Sequence, residues 1–400
     1  MAHYKYLVIG GGMTGDAAVR GIREVDANGS IAIISAEVDP PYKRPPLSKG
    51  LWKGEKLERI WYKTDGLRVD LYLGRTVQAV EPENKRVVDD QGSQHTYDRL
   101  LLATGGTPRR LPFGGGDINY FRTVEDYRRL RDATDHGRLF AVIGGGFIGS
   151  EIAAALAMNG KEVVMVFPEE SVGSRVFPPD LSAFVSDYYR KNGVTVLAGT
   201  TANALERRRD QFSLKVRGAK DGGEREILVD GVVAGLGIEP NVGLAQEAGL
   251  EVGNGIVVDE FLRTSRPDIF AAGDVASFVN PALGKRLRVE HEDNAQAMGR
   301  VAGRNMAGEA ELYHHLPFFY SDLFDLGYEA VGEPDSRLEA AGDWKEPYTE
   351  GVVYYLHDGR VRGVLLWNVW GQLDAARRLI AEPGPFRPED LKGRLPEDVS

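Results

Sequence analysis

Two stretches of the chain carry the same hydrophobic pattern. Each starts with an unbroken apolar run, turns through a cluster of glycines, continues with the apolar spacing of a helix, and resumes after a polar break as a β-branched run. The first is VIGGGMTGDAAVRGI at residues 8–22, followed by IAIIS at 31–35; the second is VIGGGFIGSEIAAAL at 142–156, followed by EVVMVF at 162–167. A short apolar run bounded by turn residues predicts a strand buried on both faces, and an apolar period near 3.6 predicts a helix of about 15 residues. Strand, helix and parallel strand make a βαβ unit, and the chain uses it twice.

The rest of the pattern extends this picture. RVVDD and YDRLLLAT lie between the two copies, and GVTVLAG, FSLKVRG, EREILVDGVVAGLG and RPDIFAAGDVA (266–276) follow the second; all predict short strands. A segment rich in proline and glycine, residues 108–116, reads as a crossover. From about His314 the pattern changes to aromatic-rich strands, FFYSDLFDLGYEAVGE and GVVYYLHDGRVRGVLLWNVW, then a helix, QLDAARRLI, and a polar tail from Glu382. The expected fold class is α/β: two doubly wound, Rossmann-like dinucleotide-binding domains, one built from 1–112 and 239–313 and the other from 113–238, with a C-terminal α+β domain at 314–400.

Composition narrows the function. No run approaches the roughly 18 apolar residues that would span a bilayer, which excludes an integral helical membrane protein. The opening MAHYKYLVIG runs straight into an apolar strand with no targeting pattern, so a cytoplasmic location is expected. Lys plus Arg number 49 against 59 Asp plus Glu, a net charge of −10, the wrong sign for nucleic acid as a main partner. Cysteine is absent, which removes disulfides, thiolate metal sites and every mechanism with a catalytic cysteine. His314 and His315 read as strand neighbours on opposite faces, so no metal is assigned.

The glycine turns carry the chemistry. In Gly10, Gly12 and Gly15, missing side chains allow a tight turn, close approach of backbone to a pyrophosphate, and helix packing, with the phosphate at a helix N-terminus. Glu37 follows the second strand, where a carboxylate accepts from ribose hydroxyls. Gly144, Gly146 and Gly149 repeat the motif, and Glu169 stands at the equivalent strand end. A carboxylate there bonds a free 2′-hydroxyl and repels a 2′-phosphate, which favours NADH over NADPH, although the nearby Arg175 softens that preference. Glu169 and Glu170 can also be read as a solvated pair.

The motifs IGGGMTG, PPYKRPPLSK (40–49), LLATGGTPRR (101–110), IGGGFIGSE (143–151), GLGIEPN (235–241), FAAGDVA (270–276) and RVEHEDNA (288–295) together make the chain resemble the FAD-dependent pyridine nucleotide oxidoreductases. The resemblance runs over nearly the whole chain and is to the ferredoxin/rubredoxin reductase and apoptosis-inducing-factor branch, of glutathione-reductase-like architecture. It implies FAD bound by Gly10, Gly12, Gly15, Glu37, Arg44, Lys49, Ala103, Thr104, Gly105, Gly273, Asp274, Glu290, His291 and Tyr320. NADH is implied at Gly144, Gly146, Phe147, Ile148, Gly149, Glu151, Glu169, Arg175 and Gly237. Lys49 is expected to pair with Glu151, the two serving as the catalytic residues, the cation stabilising charge that arrives with hydride. Read without the resemblance, Lys49 and Glu151 are surface charges, Glu290 and His291 cap a helix, and Tyr320 is a core aromatic.

The implied activity is hydride transfer from NADH to FAD, then delivery of electrons to a ferredoxin, rubredoxin or other one-electron acceptor. The alternative is an NADH-responsive redox protein like apoptosis-inducing factor, with slow turnover and a stable charge-transfer state. A plain nucleotide-binding scaffold would leave Asp274 and the PYKRPPLSK loop idle. Ferredoxin docking needs a local basic patch, for which Arg109, Arg110, Arg377 and Arg378 are candidates, and the resemblance also allows a homodimer.

Overall fold

The computed structural model describes residues 1–219 and 222–395, so the end of the polar tail lies outside the described residues. The chain forms two compact units. One comprises Met1–Lys43, Glu58–Thr107 and Glu239–Phe318; the other comprises Arg44–Leu57, Pro108–Ile238 and Phe319–Ser400.

The first unit is organised by β1 (Ala2–Ile9), whose Leu7 and Val8 are fully buried, as a continuous apolar run demands. The chain turns into α1 (Met13–Val25) and returns as β2 (Ile31–Ser35), parallel to β1 with Tyr6 opposite Ile31 and Ile9 opposite Ile34. β3 (Asp70–Leu73) extends that edge, and β4 (Val77–Glu81), β5 (Arg86–Asp89) and β6 (Gln94–Leu102) complete the order β3-β2-β1-β6-β5-β4. The strand Ile269–Ala271 pairs parallel with β6, so the carboxyl ends of three buried strands, at Ile9, Leu102 and Ala271, come together. That edge is where ligands of open α/β sheets sit. α1 packs on the helix Glu292–Met306 at backbone contact: a Cβ on Gly21 would fall 2.1 Å from the Arg300 carbonyl oxygen, and one on Gly303 2.1 Å from that of Ala18.

The second unit repeats the plan. Its parallel sheet contains β7 (Ile118–Tyr120), β8 (Leu139–Ile143), β9 (Glu162–Val166), β10 (Val194–Leu197) and β11 (Gly231–Ala234) in the order β10-β9-β8-β11-β7, with α2 (Phe147–Met158) after β8. α2 buries every residue from Gly149 to Leu156, which explains its almost wholly apolar sequence. EREILVDGVVAGLG divides at Asp230: Glu224–Val229 joins an antiparallel three-stranded sheet, while β11 joins the parallel one. The Asp230 carboxylate holds the break by accepting from the Arg138 and Leu139 amides.

The C-terminal region is a five-stranded sheet of β12 (Phe318–Leu323), β13 (Leu326–Gly332), β14 (Glu339–Glu346), β15 (Glu350–His357) and β16 (Arg360–Trp367), in the order β12-β13-β16-β15-β14, followed by α3 (Leu373–Ala381). Its aromatic richness goes into the core: Trp367 stacks on Tyr328 with centroids 5.7 Å apart, and Phe177 meets both edge-on. His314 and His315 do not lie on a strand; they precede β12 in irregular chain, and the His315 ring is paired with Asp293. Among the described residues no three His, Cys, Asp or Glu side chains cluster as a metal site would require.

Candidate functional site

At the end of β1 the three motif glycines are constrained in two different ways. A Cβ on Gly10, where φ is +117°, would fall 2.1 Å from the Ala103 carbonyl oxygen, and one on Gly15 would fall 2.2 Å from that of Gly10. A Cβ on Gly12 would meet nothing within 4 Å. Gly12 is the N-cap of α1 and no side chain bonds to this helix end. The outer glycines are therefore demanded by the chain itself, whereas the middle one leaves a bare, positively polarised helix end open to an anionic group.

The other expected flavin-site residues of this unit gather round that turn. The Ala103 amide donates to Ile9 at 2.8 Å, Thr104 Oγ1 donates to the Asn241 carbonyl at 2.8 Å, and Gly105 has φ +61°. Glu37, half-buried beyond β2, accepts from the Tyr42 hydroxyl at 2.5 Å. Gly273 has φ +78° and packs so tightly on α1 that a Cβ would fall 2.2 Å from Thr14 Oγ1, which brings Asp274 up to the first turn of the helix. Arg288 donates to the Asp274 carbonyl at 3.0 Å and pairs with Glu290 at 2.7 Å. His291 is the N-cap of the helix Glu292–Met306 without a side-chain cap bond. Burial pushes its imidazole down to about 4, against the opposing pull of Asp274 and Asp293, so the ring is neutral at pH 7.

The second unit builds the same cradle. A Cβ on Gly144 would lie 2.4 Å from the Gly235 carbonyl oxygen and one on Gly149 2.0 Å from that of Gly144, while one on Gly146 meets nothing within 4 Å. Gly146 is the N-cap of α2, again with no side-chain cap; α1 carries Asp16 in its first turn, whereas α2 has no acidic residue there. Phe147 and Ile148 are large apolar residues left 37% and 38% exposed beside this opening, and the Phe147 ring packs on Phe319 at 4.9 Å. Glu169, beyond β9, is paired with Arg175 at 2.6 Å. Gly237 has φ +78°, and its carbonyl takes the Arg109 amide.

Arg44, Lys49 and Tyr320 belong to this second unit. The Arg44 guanidinium donates to the Arg122 carbonyl at 2.9 Å. The Lys49 ammonium lies 2.7 Å from Glu151 Oε2 and 5.2 Å from the centroid of the Tyr320 ring. The Lys49 side chain is 12% exposed and that of Glu151 3%. A buried ion pair is tolerated only when the remaining lone pairs are satisfied. Here the Ser48 hydroxyl donates to Glu151 Oε2 at 2.5 Å and the Ser321 hydroxyl donates to Oε1 at 2.6 Å. Sequence reasoning missed both serines. Their one signal is adjacency to Lys49 and to Tyr320, since a hydroxyl has no spacing rule of its own. Of the basic docking candidates, Arg110 lies over the Tyr120 ring and Arg377 bonds to Asp374, so both have partners within the chain.

Two glycine cradles of the same design, each followed by a half-buried carboxylate, call for comparison with known proteins. Residues 4–299 match the family described as pyridine nucleotide-disulphide oxidoreductase. The chain belongs to this family. Residues 302–347 and 340–382 match a second family, the mitochondrion-associated C-terminal region of apoptosis-inducing factor. Among curated proteins the chain is 36% identical to apoptosis-inducing factor 1, mitochondrial, of Dictyostelium discoideum, over 99% of this chain and 80% of that protein. It is 34% identical to the ferredoxin–NAD(+) reductase component of the anthranilate 1,2-dioxygenase system of Burkholderia cepacia, over 96% of each. Among solved structures it matches the covalent putidaredoxin reductase–putidaredoxin complex with a TM-score of 0.89 and 30% identity, covering 97% of this chain and 95% of that one.

As a pyridine nucleotide-disulphide oxidoreductase, the protein is an NAD(P)H-dependent flavoprotein enzyme that uses FAD and a nicotinamide dinucleotide. The residues present fit two such groups, because each cradle offers an uncapped helix N-terminus that only a glycine leaves accessible. The thiol chemistry in the family's name has no cysteine to act through in this chain. No helix among the described residues is long and apolar enough to cross a membrane.

Proposed function

We propose that the enzyme is an NADH-dependent reductase that passes electrons to a small iron–sulfur protein of the ferredoxin type. FAD, when bound, turns a two-electron donor into a source of single electrons. The observation that carries this reading is the buried ion pair of Lys49 with Glu151 of the nucleotide-motif helix, in a chain without cysteine. Gly10, Gly12, Gly15, Glu37, Ala103 to Gly105, Gly273 and Asp274 hold the flavin nucleotide. Gly144, Gly146, Gly149 and Glu169 hold NADH, with Phe147 and Ile148 giving its nicotinamide end an apolar face.

Lys49, oriented by Glu151, supplies a fixed positive charge to the negative charge that arrives with hydride. His291 stays neutral, so it offers a hydrogen bond without a competing charge. Glu169 selects a free 2′-hydroxyl and disfavours a 2′-phosphate. The relatives named for ferredoxin and putidaredoxin support the choice of acceptor.

The test is anaerobic mixing of the purified yellow protein with one equivalent of NADH, followed by an oxidised ferredoxin. Bleaching within milliseconds and recovery on adding the ferredoxin is expected; a colourless protein, or one that NADPH bleaches and NADH does not, refutes the proposal. The match of residues 302–382 to the apoptosis-inducing-factor C-terminal region favours a second reading, a slowly turning-over redox-responsive protein. Slow bleaching with a lasting long-wavelength absorbance band would select it.

A further inference from the structure

The three strands of chain that meet at Glu151 do more than pair it with Lys49. Ser48 and Lys49 come from the loop at 44–57, Glu151 from α2, and Ser321 from β12 in the C-terminal region. Both serines are buried, at 5% and 1% exposure. Each carboxylate oxygen therefore receives one hydroxyl hydrogen, and Oε2 receives the ammonium as well. The other titratable groups facing Glu151 are Tyr189, on the helix Pro179–Lys191, and Tyr328, on β13. Burial holds both phenols well above their usual range, so neither contributes charge, and the Tyr328 hydroxyl is in hydrogen-bond contact with Ser321.

We propose that Ser48 and Ser321 are positioning residues that hold the Glu151 carboxylate aimed at Lys49, so that the C-terminal region, through Ser321, fixes where the Lys49 charge stands. This rests on the functional reading above, in which the Lys49 charge matters to hydride transfer. The physical reason is the low exposure of the pair. A hydroxyl that donates to a carboxylate makes a charge-assisted hydrogen bond, roughly twice as strong as a neutral one, and one such bond on each oxygen fixes the rotation of the carboxyl group as well as its place. Among the described residues Ser321 is the side chain that donates to Oε1, so its loss frees the carboxyl group to turn away from Lys49.

The experiment uses the purified protein grown with glutamate labelled at Cδ. The Glu151 carboxylate resonance is assigned by its disappearance in Glu151→Gln and compared at pH 7 in wild type, Ser321→Ala, Ser321→Thr and Ser48→Ala. The expected result is a resonance displaced in Ser321→Ala and in Ser48→Ala and restored towards its wild-type position in Ser321→Thr, because each alanine variant loses one hydrogen bond to the carboxylate. The limiting rate of flavin bleaching by NADH falls about tenfold in the same two alanine variants, the worth of one charge-assisted hydrogen bond. If Ser321→Ala fails to fold, Ser48→Ala carries the test. An unchanged resonance in the serine variants overturns the inference even if NADH bleaches the flavin normally. A wild type that NADH does not bleach would instead overturn the functional reading, while the resonance still judges the clamp.

Discussion

Within one glycine motif the structure assigns opposite consequences to the same added methyl group. In Gly15→Ala the new Cβ would sit 2.2 Å from the Gly10 carbonyl oxygen, so backbone must move by about 1 Å in a close-packed turn. Overpacking of this kind costs about 1–3 kcal/mol or more. In Gly12→Ala the Cβ meets nothing, and the backbone, at φ −82° and ψ −171°, is one alanine adopts freely. Two small effects then offset each other. Restricting the unfolded chain stabilises by about 0.4–1 kcal/mol, and alanine is a worse N-cap than glycine by a similar amount. Gly12→Ala is therefore expected to shift the thermal midpoint of flavin-free protein by less than about 2 °C. The methyl group does, however, occupy the space through which a pyrophosphate reaches the helix end, and a clash of about 1.5–3 kcal/mol weakens FAD binding about 10- to 100-fold. Gly15→Ala is expected to lower the midpoint itself. Circular dichroism of the stripped protein and a fluorescence titration with FAD measure the two quantities separately. If Gly12→Ala loses as much stability as Gly15→Ala, or binds FAD as tightly as wild type, the division of labour among these glycines is wrong.

Further predictions concern the charges. Lys49→Ala should slow flavin bleaching by NADH about 10- to 100-fold, the worth of one charge-assisted hydrogen bond, in stopped-flow absorbance; an unchanged rate removes Lys49 from the reaction. Glu169→Ala should raise the ratio of kcat/KM for NADPH to that for NADH by about tenfold, since it removes the carboxylate and frees Arg175 from its pair; steady-state kinetics with both nucleotides decide this. His291 has a folded value of about 4 against 6.5 for a free imidazole, so the unfolded chain binds its proton first. Stability from this residue is complete above about pH 6.5 and is lost as pH falls towards 4, by up to about 3 kcal/mol. Urea unfolding of flavin-free His291→Gln should show a flatter dependence over that range, and the same slope as wild type would contradict the assignment.

What the sequence made legible follows from which constraints are local. Gly10, Gly15, Gly144 and Gly149 are legible because each avoids a backbone atom within five residues along the chain or on the adjoining strand end, and no other residue fits. β1 and β8 are legible because burial on both faces leaves an unbroken apolar run. The strand Thr200–Arg208 was not: TTANALERR is largely exposed, so nothing in its pattern separates it from a loop. The grouping of Arg44–Leu57 with the second unit was equally hidden. It depends on Ser48 and Lys49 at Glu151, on Asn159 bonding to the Trp52 carbonyl, and on Trp52 packing against Tyr127, contacts about 75 to 107 residues apart that periodicity does not record. Ser321 is the extreme case, 170 residues from its carboxylate.

The near identity of the two cradles also limits how this protein can change by mutation. The outer glycines of both turns answer to the backbone and the middle ones meet nothing within 4 Å, so the proposed reading gives neither turn a means of telling one dinucleotide from the other. On the proposed reading, discrimination falls to the residues after the second strand of each half, where Tyr42 holds Glu37 and Arg175 holds Glu169. A randomised library over residues 10–15 or 144–149 should return inactive or unchanged proteins, and one over 37–42 or 169–175 should return altered nucleotide choice. Selection for a new electron donor has a short and well-marked stretch of chain on which to act.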